Sequence, residues 1–221
     1  MPIHLKRFDN KHKGCRGFII GGGPSIINIK KSGFNFDILQ KEITVGVNKA
    51  YNLFTPTYLI WTDAYFWKAF RSELIKLRSI KFCPIKIVRK FSINKKDIYS
   101  LKRDKDSKKS TYVSSLSNSV PMWNNSGVTA LRIAYILGLN PIYLIGIDLI
   151  IKDLKGRTHF HKAYNKNRVA KTTFKRYNKF FESFKKTIKD LEDIGVKIYS
   201  CSKVSRLNEL IEYKKIDDLF N

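Results

Sequence analysis

Two groups of residues in this chain have types and spacing that could do chemistry: a run of glycines early on and a pair of histidines much later. The first is Gly21-Gly22-Gly23-Pro24-Ser25, which breaks the apolar stretch Gly17-Phe18-Ile19-Ile20. Glycines at the end of an apolar strand let the backbone approach a bulky anion, and a helix that follows offers unpaired N–H groups and a positive dipole end. Such a loop is a phosphate cradle. It lacks the Lys-Ser/Thr ending of an ATPase loop and the full Gly-x-Gly-x-x-Gly spacing of a dinucleotide site. A tight strand-to-helix turn in any α/β protein would use the same residues.

The second group is His159-Phe160-His161. A free imidazole titrates near neutrality, so either ring could take a proton from an attacking hydroxyl at physiological pH. A nearby carboxylate would fix the tautomer and raise the basicity, and Asp148 is the candidate for it. The same three residues could instead bind a metal, although no further protein ligand stands at a characteristic spacing. Surface or packing positions are the ordinary alternative for each histidine.

Positioning these groups requires strands that all end at one edge. Asn48 follows the apolar run Ile43-Thr44-Val45-Gly46-Val47, and Asp63 follows Tyr58-Leu59-Ile60-Trp61-Thr62. Strands that each end in small or polar residues, at spacings that fit β-α-β units, predict a parallel sheet with ligand groups at its carboxyl edge. Asn125-Ser126-Gly127 opens the apolar stretch 128–137, which Gly138 stops. Asn125 or Ser126 is a natural N-cap there, and the amino end of that buried helix is a second anion site. Residues 141–147 are then apolar until Asp148, as a central parallel strand reads. The amino ends of the helices opened by Ser25 and Ser126 are expected to converge on one anion.

The rest of the chain fills in around this plan. Residues 1–16 are basic and polar and predict a loose arm; 17–221 predict one Rossmann-like α/β domain, a mainly parallel sheet with helices on both faces. Residues 64–79 read as a helix, 85–88 as a fourth strand, and 207–220 as a last helix after a strand at 196–199. Residues 91–120 turn polar, with net charge +4 over 95–110, and predict a basic insertion or lid. Phe174, Tyr177, Phe180, Phe181, Phe184, Ile188 and Leu191 recur at helical steps and read as a core-facing stripe.

The 221 residues carry 43 Lys and Arg against 18 Asp and Glu, a net charge of +25. That field favours polyanions, and residues 152–189 alone carry a net +11. Three scattered cysteines in no metal-ligand spacing argue for a reducing compartment. No apolar run is long enough to span a bilayer, so a cytoplasmic location is expected.

Four features occur in one order: Gly-Gly-Gly-Pro-Ser after the first strand, Val47-Asn48 after the second, Asn125-Ser126-Gly127 opening a buried helix, and Gly146-Ile147-Asp148 ending a strand. Together they resemble the bacterial sialyltransferases that use a cytidine-monophosphate (CMP) sugar, and related phage proteins. Residues 196–207 also look like the closing strand of that group. The resemblance implies that Gly21, Gly22, Gly23, Ser25, Asn48, Ser126 and Gly127 hold the nucleotide; Pro24, Asn125 and Asp63, the last beside aromatic residues that could stack on a base or sugar, are counted with the same site. It further implies direct displacement at the sugar, with His161 or His159 as the base that deprotonates the acceptor hydroxyl and no obligatory metal. The family's arginine shortly before Ser-Gly is replaced here by Met122-Trp123-Asn124, and its two phosphate-stabilising tyrosines have no clear counterpart, Tyr164 being one substitute.

The same glycine loop and closing strand occur in the 6-hydroxymethylpterin pyrophosphokinase family. Under that alternative, Asp63 and Asp148 would hold Mg²⁺ for phosphoryl transfer from ATP, although Asn48 stands where an acid is expected. A third reading is a non-catalytic binder of nucleic acid or an anionic surface. Donor sugar, acceptor and oligomeric state are left open.

Overall fold

The structure, a computed structural model, describes residues 5–103, 115–122, 125–150, 159–161 and 173–220. Short apolar runs that must bury both faces can do so only between two layers of helix. Seven of them, β1 (Gly17–Ile20), β2 (Ile43–Val47), β3 (Tyr58–Ile60), β4 (Ile80–Pro84), β5 (Ile98–Leu101), β6 (Ile142–Ile145) and β7 (Ile198–Ser200), form one sheet in the order β5-β4-β3-β2-β1-β6-β7. Every pairing is parallel. This is the Rossmann-like fold expected. Helices α1 (Ser25–Lys31), α2 (Ala64–Lys76), α3 (Ile85–Lys90), α4 (Ser126–Ile136) and α5 (Thr173–Glu192) cover it.

Successive strand residues point to opposite faces, and the core divides accordingly. Ile19, Val45, Ile60 and Leu144 pack with Leu131 of α4 and Phe184 and Ile188 of α5. On the other face Phe18, Ile20 and Ile145 pack with Ile26 of α1, while Leu59, Trp61 and Cys83 pack with Trp67 of α2 and Ile87 of α3. Asn125 caps α4, its Oδ1 accepting from the N–H groups of Gly127 and Val128 at 2.9 and 3.4 Å. Inside α4, buried Arg132 donates to Asp190 of α5 at 2.9 Å. Removing either partner would strand a buried charge, so this pair fixes α5 across α4.

The topology also fixes where a ligand can sit. β1 pairs with β2 on one side and β6 on the other, so the connection from β1 to β2 and that from β6 to β7 leave in opposite directions. The crevice outside the carboxyl ends of such a pair is the ligand position of open α/β sheets.

Four expectations need correction. Residues 85–88 are helix α3, and the fourth strand is Ile80–Pro84. A lysine inside that strand disguised it: Lys81 is fully buried, and its ammonium donates to the carbonyls of Leu77 and Ser79 and to Asp97. The stretch 91–120 contributes edge strand β5, and a bridge from Arg103 to Val120 brings the chain back; the remainder of the proposed lid, 104–114, lies outside the described residues.

Residues 207–220 form no long helix. Two 3-10 turns, Arg206–Glu209 and Asp217–Leu219, flank a segment whose backbone bonds to β7 instead, Ser200 N–H to Glu212 and Lys214 N–H to Ser200. Nor is 5–16 a loose arm. N–H groups of Asn10, His12 and Gly14 donate to the carbonyls of Ile136, Leu137 and Gly138, which the end of α4 leaves unpaired. Phe8 is fully buried, edge-on to Phe82 at 5.2 Å and Tyr99 at 5.0 Å. Burying a phenylalanine contributes about 2 kcal/mol, which adds to these backbone bonds in holding the segment. Among the described residues, no helix is long and apolar enough to cross a membrane.

Candidate active site

The glycine loop leaves β1 at the switch point and runs against the end of β6. Gly21 N–H donates to Ile145 at 2.7 Å and Gly23 N–H to Gly146 at 2.8 Å. This approach leaves no room for side chains. A Cβ on Gly21 would lie 2.3 Å from the Gly146 carbonyl oxygen, and one on Gly23 would lie 2.3 Å from Asp148 Oδ2. Gly22 differs, because its Cβ would face His159 Cδ2 at 3.3 Å and His161 Nε2 at 3.8 Å. Two of the glycines therefore answer to packing, and the third faces the histidines.

Asp148 ends the apolar run of β6 and is 3% exposed. The Ser25 N–H donates to its Oδ2 at 2.8 Å and the Ser25 hydroxyl to its Oδ1 at 2.6 Å. The negative group at the start of α1 is thus the chain's own carboxylate, and it braces the glycine loop against β6. Ser202, just past β7, completes the brace: its hydroxyl accepts from Gly146 N–H at 2.9 Å and lies 3.0 Å from that of Ser25. Ser202 falls within the closing-strand stretch 196–207, whose resemblance implies no role for it.

His159, Phe160 and His161 lie directly on this loop. Phe160 N–H donates to the Gly22 carbonyl at 3.1 Å, and the two imidazoles are 5.3 Å apart. Residues far apart in sequence are brought together here, as the chemistry requires. Burial lowers both pKa values; that of His161 is pushed down to about 4, with the His159 ring and the Lys49 ammonium adding to the effect. Both rings are neutral at pH 7 and able to accept a proton. Tyr177 of α5, read from the sequence as part of the apolar stripe, is half-buried and close enough to feel Asp148. Burial, then the Asp148 charge, raises its pKa, so the phenol keeps its proton to donate.

The next strand end along the sheet holds Asn48. Its backbone is left-handed, φ 53°, and its Oδ1 is buried with no hydrogen-bond partner among the described residues. Strained backbone and an unsatisfied acceptor both cost stability, and such costs concentrate at functional positions. Lys49, not singled out in the sequence, is buried beside it. Its ammonium donates to Glu73 at 2.7 Å and to the Tyr51 hydroxyl at 2.9 Å, a positive charge among aromatic rings near His161. Only its adjacency to Asn48 could have signalled it.

Ser126 opens α4 over the same edge, its hydroxyl 2.7 Å from that of Thr62 after β3. Ser25 and Ser126 therefore share the carboxyl edge. Gly127 is buried, with Phe184 where a Cβ would project, 3.0 Å away. Asp63 is exposed and caps α2, accepting from Tyr65 N–H at 2.7 Å. Asp63 and Asp148 follow strands three places apart in the sheet, about 14 Å at the usual strand spacing. One ion cannot be held by both. Among the described residues no group of three or more His, Cys, Asp or Glu side chains is gathered to hold a metal, which also counts against the His-Asp metal reading. Met122 is buried in the core. Trp123, Asn124, Tyr164 and most of the basic tract 152–172 lie outside the described residues.

No family model matches the sequence, and no curated protein matches it. Solved structures do match the fold. The sialyltransferase CstII from Campylobacter jejuni, solved with the substrate analogue CMP-3FNeuAc, superposes with a TM-score of 0.56 at 19% identity, over 90% of this chain and 86% of that one. The monofunctional α-2,3-sialyltransferase Cst-I from Campylobacter jejuni gives a TM-score of 0.54 at 19% identity, over 90% and 80% of the two chains. A CstII variant in complex with CMP gives 0.54 at 18% identity, with 90% and 86% covered. The chain thus has a sialyltransferase-like fold; the resemblance to pterin pyrophosphokinases and phage proteins gains no support.

Proposed function

We propose that this chain is a sialyltransferase-like glycosyltransferase that binds a CMP-activated sugar in the crevice between β1 and β6. The observation that carries the reading is the placement of His159 and His161 on Gly22 at the switch point of the sheet. A donor phosphate over Gly22 would leave the sugar carbon close to a neutral imidazole. The acceptor hydroxyl would then lose its proton to His161 as its oxygen attacks that carbon and the CMP phosphate departs with the bonding electrons. Asn48 offers an unsatisfied oxygen to the nucleotide, Ser126 lines the same edge, and Tyr177 keeps a proton to donate toward the departing phosphate. Asp148, Ser25 and Asn125 act through positioning, by bracing the loop and capping α4.

Ligand-induced stabilisation tests the nucleotide half of this reading. Saturating CMP should raise the melting temperature by about 5–10 °C, because a ligand at 100 times its Kd stabilises the fold by about 2.7 kcal/mol. UMP and AMP should do less, and EDTA should leave the shift unchanged. A shift seen only with ATP and Mg²⁺ would remove the CMP assignment.

The pH dependence tests the other half. The base must be neutral, and burial lowers its pKa from 6.5 toward about 4. Activity at low substrate, which reports the free protein, should therefore hold from neutral pH through 6.5 and fall only as pH drops toward 4. A bound anionic phosphate favours the imidazolium, so at saturating donor the fall should begin at higher pH. An acid limb centred at 6.5 or above in the free protein would exclude His161 as the base.

A further inference from the structure

The +25 net charge is unevenly placed. Residues 64–96, spanning α2, β4 and α3, contain ten Lys or Arg and a single acid, Glu73. Glu73 is engaged by Lys49, and Lys81 is buried on Asp97. The other nine basic side chains are all exposed. By contrast α5 mixes its exposed lysines with Glu182 and Glu192, so its outer surface is not of one sign.

Six of the nine, those on the two helices, share one face. The inner sides of α2 and α3 meet in a single apolar cluster over β3 and β4, formed by Trp67, Phe66 and Leu74 of α2 and Ile87 of α3. Their outer sides therefore turn to solvent together: Lys68, Arg71 and Lys76 from α2, and Lys86, Arg89 and Lys90 from α3. Ile75 stands among them 42% exposed, on the same line of α2 as Lys68 and Arg71. Nothing in the fold requires an isoleucine there.

We propose that this α2–α3 face docks on an anionic lipid membrane. Six of the nine charges are lysines, point charges suited to a diffuse negative surface rather than to paired recognition of single phosphates. Of the helices' aromatic rings, Phe66 and Trp67 are turned into the core and Phe70 packs against it; one ring, Tyr65, is 41% exposed, short of the row of rings a single-strand binder would offer to bases. An exposed isoleucine within the charge suits a headgroup boundary and has no use against a phosphate backbone. α2 starts at Asp63, at the same sheet edge as the crevice, so a docked face leaves the crevice at the membrane's border. The inference does not depend on what the crevice binds.

The test compares two triple variants of equal charge. Lys68→Glu/Arg71→Glu/Lys86→Glu alters the face; Lys175→Glu/Lys179→Glu/Lys185→Glu alters exposed lysines of α5. Co-sedimentation uses vesicles of phosphatidylcholine with or without phosphatidylglycerol at about 0.15 M salt. The unaltered protein should bind only vesicles that contain phosphatidylglycerol. The face variant should lose that binding by about 100-fold, since each Lys or Arg near the surface counts for about a factor of five. The α5 variant should stay within about threefold, its charges being screened beyond about 8 Å. Matching melting temperatures confirm that both variants fold. Equal losses in the two variants, or no preference for phosphatidylglycerol, would overturn the proposal. So would a face variant that loses duplex DNA yet keeps vesicle binding, because the face would then be a nucleic-acid surface.

Discussion

His161→Ala should slow sugar transfer by about 10²–10⁴-fold, the usual contribution of a positioned general base. CMP affinity should change little. The loss belongs in kcat, since proton removal is an interaction made only as the acceptor oxygen attacks. The variant should fold: His161 is only part-buried, and the bond that fastens its segment to the loop runs from the Phe160 backbone to Gly22. His159→Ala serves as the comparison. It removes a neighbour that depresses the His161 pKa, so its acid limb should move upward while most activity remains. Steady-state rates and calorimetric CMP binding on both variants decide the matter. Full activity in His161→Ala would end its role as base, and would do so independently of whether CMP binds.

The sequence carried the centre of the sheet and concealed its borders, for reasons visible in single residues. β1, β2, β3 and β6 bury both faces, so their apolar runs are uninterrupted and each stops at the groups that face the crevice. β4 contains Lys81, whose charge is neutralised by Asp97 and two carbonyls that no local pattern reveals. The tail bonds to β7 by backbone alone, an interaction without a side-chain signature. Phe8 is one apolar residue in a basic segment, and its three ring partners come from β3, β4 and β5. Within the site, Gly21–Ser25, Asn48 and the histidines were legible because their residue types are unusual where they stand. Lys49, Ser202 and Tyr177 were not, because a buried lysine, a serine after a strand and a tyrosine in an apolar stripe acquire meaning only from what surrounds them.

The three glycines give the second large effect, because they look equivalent in sequence and the structure makes them different. Gly23→Ala would drive a methyl to 2.3 Å from Asp148 Oδ2 and 2.8 Å from the Gly146 carbonyl, and Gly21→Ala would meet that carbonyl at 2.3 Å. A backbone carbonyl and a braced carboxylate cannot swing aside as a flexible side chain can, so overpacking should cost about 2–4 kcal/mol. For a chain of this size that lowers the melting temperature by roughly 5–15 °C. Gly22→Ala meets only imidazole edges, at 3.3 and 3.8 Å, and its φ is not left-handed. Its melting temperature should stay close to that of the unaltered protein. Yet the added methyl would press on the imidazoles where they meet the loop, beside the proposed place of the donor phosphate, and should weaken CMP binding at least tenfold, about 1.4 kcal/mol. Thermal melts with and without CMP on all three variants separate the possibilities. If Gly22→Ala binds CMP as well as the unaltered protein, the nucleotide does not lie over this loop, and the histidines face something else.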